Sequence, residues 1–208
     1  MLKDKNVVLA IGAHPDDIEL GCGGALAKHI ALGDSVYCLI MTNGEKGKHS
    51  AGKEECLASL NALGLKEVFF GNFADGFLSD DQTTVNFIET FINKFGVTRV
   101  YTHSPNDRHQ DHRNCSHAVS SAARRIKDIL LFQGPSTISF EPHYFVELSD
   151  SNFARKIEAL SCYGSQLSKG TINPNLTRNI AELHGAMCNK KYAEAFAVNH
   201  LFREESDV

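Results

Sequence analysis

Short continuous apolar runs alternate with stretches of helical periodicity through the first half of the chain. Residues 7–11 read Val-Val-Leu-Ala-Ile, the pattern of a strand buried on both faces. Residues 12–17 predict a turn. Residues 18–32 carry apolar side chains at helical spacing and stop at Gly33, a frequent helix-ending residue. Residues 36–41 predict a second buried strand and 42–47 a loop. A helix over 53–63, a short strand over 67–70, a helix over 83–95, a strand over 99–102 and a long helix over 111–127 follow. Strands separated by helices imply βαβ crossovers and a mostly parallel sheet flanked by helices, an α/β fold. The second half is less regular. Residues 129–132 and 143–147 predict strands and 149–162 a helix. Residues 179–197 predict mostly helix. The stripe Phe87, Phe91, Phe95 reads as core packing.

Composition narrows the class. The chain has 208 residues, 42% of them hydrophobic and 22% charged, which fits a globular domain with its own core. With no repeat, no low-complexity tract and no linker, residues 1–208 are expected to form a single domain. The formal net charge is −4, so no basic field attracts nucleic acid or an anionic membrane. No apolar run approaches the ~18 residues of a membrane span. The N-terminus from Met1 to Asn6 is polar and carries no export signal, which gives a cytoplasmic expectation. The six cysteines form no C-x-x-C pair and are expected to be reduced thiols.

Candidate chemistry gathers in two loops. Open parallel sheets bind ligands beyond the carboxyl ends of their strands. That places the turns at 12–17, 42–47 and 103–112 together. The first reads His14-Pro15-Asp16-Asp17. A His and a carboxylate three positions apart in a turn can reach one metal ion, while the adjacent carboxylate holds a water. Helix capping is the plainer alternative, because Asp is a favoured N-cap. The second loop runs from His103 to Arg113 and holds three histidines and two aspartates in the ten residues 103–112. Imidazole and carboxylate without cysteine suit zinc or a similar divalent ion. A catalytic zinc site takes three protein ligands, and His14, Asp17 and one histidine of the second loop make that number. Gly21-Cys22-Gly23-Gly24 is no dinucleotide fingerprint, because the acidic turn occupies the place of a pyrophosphate. His29 and His117 read as ordinary helix residues. His103, His143 and His184 receive no role from their spacing.

Taken together, Ala13-His14-Pro15-Asp16-Asp17 with Gly21-x-Gly23-Gly24, and His109-Gln110-Asp111-His112, resemble the PIG-L/LmbE-like N-deacetylase family. The resemblance extends through Thr42-Asn43-Gly44-Glu45, Asp75-Gly76, residues 145–166 and residues 192–196, so it covers nearly the whole chain. It implies a Rossmann-like fold and zinc held by His14, Asp17 and His112, with iron, cobalt or manganese also accepted by such ligands. It implies Asp16 as general base and acid, His109 as the oxyanion-stabilising histidine and Asp111 as the carboxylate that orients it. Asp75 and Asn43 would face substrate. The implied partner is a small N-acetyl sugar or glycoconjugate, and a homo-oligomer is one implied state. Three departures are Gln110 where the family usually has Pro, Gly52 and Lys53 where it often has a substrate-binding Arg, and His184-Gly185 where it has Arg-Gly.

The resulting expectation is a metal-dependent amide hydrolase that removes acetate from an N-acetylglucosamine-type group. The alternative on the same scaffold is hydration of an unsaturated carboxylic acid. A non-enzymatic metal- or nucleotide-binding module is disfavoured, because simple binding gives Asp16 no task.

Overall fold

The computed structural model describes residues 5–45 and 52–202. Within them the chain builds one seven-stranded sheet in the order β3-β2-β1-β4-β5-β7-β6. The strands are β1 (Val7–Gly12), β2 (Ser35–Thr42), β3 (Val68–Phe73), β4 (Arg99–His103), β5 (Asp128–Phe132), β6 (Tyr144–Leu148) and β7 (Tyr192–Leu201). The helices are α1 (Asp17–Ala31), α2 (Lys53–Ala62), α3 (Gln82–Phe95), α4 (Gln110–Ala122), α5 (Asp150–Ser161), α6 (Gly164–Lys169) and α7 (Pro174–Met187). Strands β1 to β5 pair in parallel, and β7 runs antiparallel between β5 and β6. The fold is α/β, with a mostly parallel sheet flanked by helices, as the alternating pattern predicts.

The continuous apolar runs are explained by burial on both faces. Along β1, Val8 and Ala10 join one core with α1, α2 and α5, while Leu9 and Ile11 join the other with α3 and α4. The phenylalanine stripe of α3 packs on Tyr37, Phe69 and Phe73 at the sheet edge, so it is core rather than ligand surface. The helix ends are chemical as well as positional. Asp81 caps α3 by accepting from Thr83 N and Thr84 N, and Gly96 ends it in the left-handed region at φ 62°.

The glycines at the start of α1 allow close approach. A Cβ on Gly21 would stand 2.3 Å from the Phe132 ring, and one on Gly24 would stand 2.5 Å from Leu148 Cδ1. The sheet and β6 therefore press against α1 at positions where any side chain would clash.

One expectation is corrected. Residues 179–197 are not mostly helix: α7 begins at Pro174 and ends at Met187, and β7 starts at Tyr192. Tyr-Ala-Glu-Ala-Phe-Ala is rich in helix formers, but β7 pairs between β5 and β6 and residues 192–196 are buried on both faces of the sheet, and that tertiary setting overrides propensity. The helix expected over 111–127 ends at Ala122, and α6 was not anticipated. The N-terminal residues 1–4, and Lys46 and Gly47 of the loop at 42–47, lie outside the described residues. Among the described residues no helix is long and apolar enough to cross a membrane.

Candidate metal centre

Strand order reverses at β1, whose neighbours are β2 and β4. Crossovers then diverge to opposite sides and leave a crevice at the carboxyl ends of those strands. The turn after β1 delivers His14, Asp16 and Asp17 to that crevice, and the loop after β4 delivers His109 and His112. A cleft of about 330 Å³ opens there, lined also by Asp75 from the loop after β3 and by Gly44 after β2.

The donor atoms converge. His14 Nδ1 lies 3.2 Å from His112 Nε2 and 3.4 Å from Asp17 Oδ2, and His112 Nε2 lies 3.4 Å from Asp17 Oδ1. Ligands held about 2.0–2.1 Å from a tetrahedral ion stand roughly 3.3 Å apart, so these spacings match one face of such a shell. The surroundings are richer in donors than three ligands need. His14, His109 and His112 form one compact set, Asp17, His103 and His112 a second, and His14, Asp75 and Asp111 a third.

The charge balance also favours a cation. Burial opposes protonation of His14, yet Asp111, Asp17 and Asp75 outweigh it and push the imidazole up to about 11. Burial opposes the charge on His112 too, and Asp17 with Asp107 raises it to about 9. Protons thus stand in for positive charge that a divalent ion would bring.

Asp16 takes an unusual backbone. Its φ of 91° lies in the left-handed region, which Asp tolerates better than most residues. It occupies the N-cap position of α1 but makes no side-chain cap, so helix capping does not account for it. It lines the cleft instead. Burial, then the neighbouring Asp17 and Glu19 charges, hold Asp16 well above the usual carboxylate range. Asp17 Oδ2 accepts from His14 N at 2.7 Å, which closes the turn.

The remaining expected residues fall as follows. The His109 ring stands 4.7 Å from those of both His14 and His112. Its Nδ1 accepts from the Asp111 backbone N–H at 3.2 Å, which leaves the proton on Nε2. Burial, with the His14 and His112 cations, holds His109 below its ordinary value. The Asp111 carboxylate is not on the His109 ring, contrary to the orienting contact expected. Its oxygens accept from Gly76 N at 2.6 Å and Leu78 N at 3.2 Å, and Oδ2 lies 3.2 Å from His14 Nε2. The reason is geometric: residue 111 lies in the first turn of α4, where its side chain meets the loop after β3. Asp75 Oδ1 lies 3.3 Å from His14 Nε2 at the cleft wall. Asn43 does not line the cleft, and its Oδ1 is buried without a hydrogen bond among the described residues. Lys53 lies over the Phe70 ring, away from the cleft.

His103 is buried beside the centre. Ala13 N donates to its Nε2 at 3.1 Å, Asp17 Oδ2 lies 3.1 Å away, and burial takes it down to about 4, so it is neutral. His143 is exposed just before β6, and His184 lines a neighbouring cavity. His29 bridges Asp34 and Tyr101 at the far end of α1.

Asp107 is the residue that spacing missed. Its Oδ2 lies 3.3 Å from His112 Nδ1, its Oδ1 accepts from His109 N at 2.8 Å, and Ser136 and Thr137 hydroxyls donate to it. Burial opposes its ionisation, but the hydrogen bonds from His112, Ser136 and His109 N hold it well below the usual carboxylate range. A carboxylate behind a metal-facing histidine fixes the tautomer and the ring. The signal in the sequence was only an extra Asp in the second loop, because Ser136 and Thr137 arrive from after β5.

Comparison with known proteins agrees with this arrangement. Residues 9–123 match the family model described as PIG-L, GlcNAc-PI de-N-acetylase. The chain is 37% identical over 170 residues to the uncharacterized deacetylase YaiS of Escherichia coli (strain K12), covering 76% of this chain and 90% of that protein. It is 29% identical over 221 residues to diacetylchitobiose deacetylase of Thermococcus kodakarensis, covering 92% and 82%. The conserved protein TT1542 of Thermus thermophilus superposes with a TM-score of 0.85 at 25% identity, over 95% of this chain and 96% of that one. The matches across more than half of the sequence, in keeping with the His/Asp cluster at the switch point of the sheet, make this chain a deacetylase of the PIG-L family.

Proposed function

We propose that the chain hydrolyses the acetamide of an N-acetylglucosamine-type substrate, with zinc or a similar divalent ion held by His14, Asp17 and His112. The observation that carries this reading is the convergence of those three side chains at 3.2–3.4 Å beside an uncapped, cleft-lining Asp16. Two imidazoles and a carboxylate fit a catalytic ion that keeps one position open. Such an ion supplies Lewis acidity toward the amide carbonyl and lowers the pKa of water near it.

The protein's own groups do the rest. Asp16 takes a proton from the attacking water as its oxygen bonds to the carbonyl carbon. His109 Nε2–H donates to the oxygen that becomes negative, and does so as a neutral ring because Nδ1 is occupied by Asp111 N. Asp16 then returns its proton to the departing nitrogen as the C–N bond breaks, giving acetate and an amine. Asp111 holds His14 and the loop at Gly76, and Asp107 holds His112. Asp75 faces the sugar hydroxyls. The name of the Thermococcus kodakarensis relative supports an N-acetylated amino sugar as substrate.

The test is acetate release by zinc-reconstituted protein from a panel of N-acetylglucosaminides, with Asp16→Asn alongside. Release abolished by Asp16→Asn at unchanged metal content supports the reading. Stoichiometric zinc with no release from any member overturns it and moves attention to hydration of an unsaturated acid.

A further inference from the structure

A second cavity of about 220 Å³ adjoins the metal cleft and shares Leu20, Pro135 and Thr171 with it. We propose that this cavity binds an uncharged, apolar aglycone, an alkyl or aryl group on the anomeric carbon of the substrate. The inference rests on the reading of the cleft as an N-acetylglucosaminide site and names the class of substrate within it.

Direction comes from the sheet. The loops after β2 and β3 bring Gly44 and Asp75 to one side of the cleft, and the loop after β5 brings Pro135 to the other. Contacts run across in the same order: Asp75 to His14 at 3.3 Å, His14 to His112 at 3.2 Å, and His112 to Ser136 at 3.3 Å. The second cavity lies beyond Ser136, between the loop after β5, α7 and β7. In an N-acetylglucosaminide the amide sits on C2, with the C3 hydroxyl on one flank and the anomeric substituent on the other. Hydroxyls facing Asp75 therefore send the anomeric substituent toward the second cavity.

The walls select its chemistry. Leu176, Ile180 and Ala181 of α7 face Leu20, Pro135 and Ala195 across it. Leu176 is 55% exposed and Ile180 38%, apolar surface that an apolar occupant would cover. The cation that lines the cavity is already used: Lys156 Nζ donates to Glu194 Oε1 at 2.6 Å and to Leu20 O at 2.8 Å. His184 is kept neutral by burial and by Lys156. Among the described residues, no uncompensated positive charge therefore lines the cavity to hold a phosphate or a nucleotide. The volume equals that of roughly seven waters at ~30 Å³ each, enough for a six-carbon chain or a phenyl ring.

The test compares kcat/KM for methyl, hexyl and phenyl N-acetylglucosaminides and for N-acetylglucosamine 1-phosphate. The expected result is at least about a tenfold gain of hexyl over methyl, since a buried methylene is worth about a factor of four, and no gain for the phosphate. Ile180→Trp, which fills the cavity from a partly exposed position, is expected to cut the hexyl-to-methyl ratio at least about fivefold. Leu176→Ser gives the same direction without added bulk. Titration of metal-free protein with hexyl glucoside, which lacks the amide, reads the cavity alone and is expected to show binding that methyl glucoside lacks. Hydrolysis with a flat aglycone series, or a preference for the phosphate, overturns the aglycone inference and leaves the deacetylase reading standing. Hexyl glucoside binding that Ile180→Trp weakens, with no glucosaminide hydrolysed, supports the cavity and overturns the substrate reading.

Discussion

Two buried polar clusters pack against helix α1, and they differ in how their atoms are spent. At its start, His14, Asp17 and His112 aim donor atoms at a common point. Further along, Glu194 accepts from Gly24 N and Ala25 N while Lys156 donates to Leu20 O. Leu20 O and Gly24 N are the carbonyl and N–H that a regular helix pairs with each other. The Lys156–Glu194 ion pair thus docks on one rung of the helix backbone, and its two partners meet at 2.6 Å. Burial of charge is common to both clusters. What separates them is that the second pairs a fixed ammonium with a carboxylate, while the first gathers carboxylates around imidazoles whose pKa values they raise, a donor set that could hold a metal ion.

The comparison can be broken by moving each cluster separately. Asp16→Asn is expected to lower kcat about a thousandfold, with metal content and melting temperature close to those of the parent. Steady-state kinetics with metal analysis checks it, and parallel loss of metal would make Asp16 a ligand instead of a base. Lys156→Met is expected to destabilise by about 3–5 kcal/mol, because Glu194 is left buried without its cation. Adding Glu194→Gln should recover much of that loss in urea unfolding, and a double variant as unstable as the single one would deny the pair its structural role. Asp107→Asn is expected to weaken zinc binding about 10–100-fold by releasing the His112 ring, measured by competition with a chromophoric chelator. An unchanged affinity would make Asp107 a loop fastener only.

The smallest effect belongs to the far end of the same helix. Burial works to raise the Asp34 carboxyl, but hydrogen bonds from His29 and Asn6 outweigh it and leave it below its usual 3.8. The unfolded chain then binds more protons than the folded one just below that value, so stability rises with pH there. The contribution is present above about pH 4 and lost as acid takes the solution down through the folded-state pKa. Asp34→Asn is expected to flatten the acid limb of a stability–pH curve while leaving activity at neutral pH alone.

Much of this was legible in the residues because it is local. Strands β1, β2 and β4 are buried on both faces, so their runs stand out, and the His-Pro-Asp-Asp turn carries its chemistry within four positions. What escaped depends on distant chain. The partners of Asp111 are Gly76 and Leu78, and those of Asp107 include Ser136 and Thr137, so neither role follows from spacing within the second loop. Tyr192 to Phe196 read as helix because β5 and β6, the strands that pair with them, lie far away in sequence. The second cavity is built by α7 and β7, where no histidine or aspartate repeats to mark it.

The antiparallel insertion of β7 orders events during synthesis. Every proposed metal ligand has been translated by His112, and strands β1 to β4 are contiguous in the sheet and need no later strand between them. Among the described residues, strand β6 has no neighbour in the sheet except β7, so it must wait until β7 is made. Lys156 waits with it, because Glu194 rides on β7. A nascent chain halted at Lys191 would therefore carry every proposed metal ligand while β6 and the Lys156 ammonium still lack the partners that β7 brings, an exposed strand edge and an unpaired charge of the kind that favours misassembly.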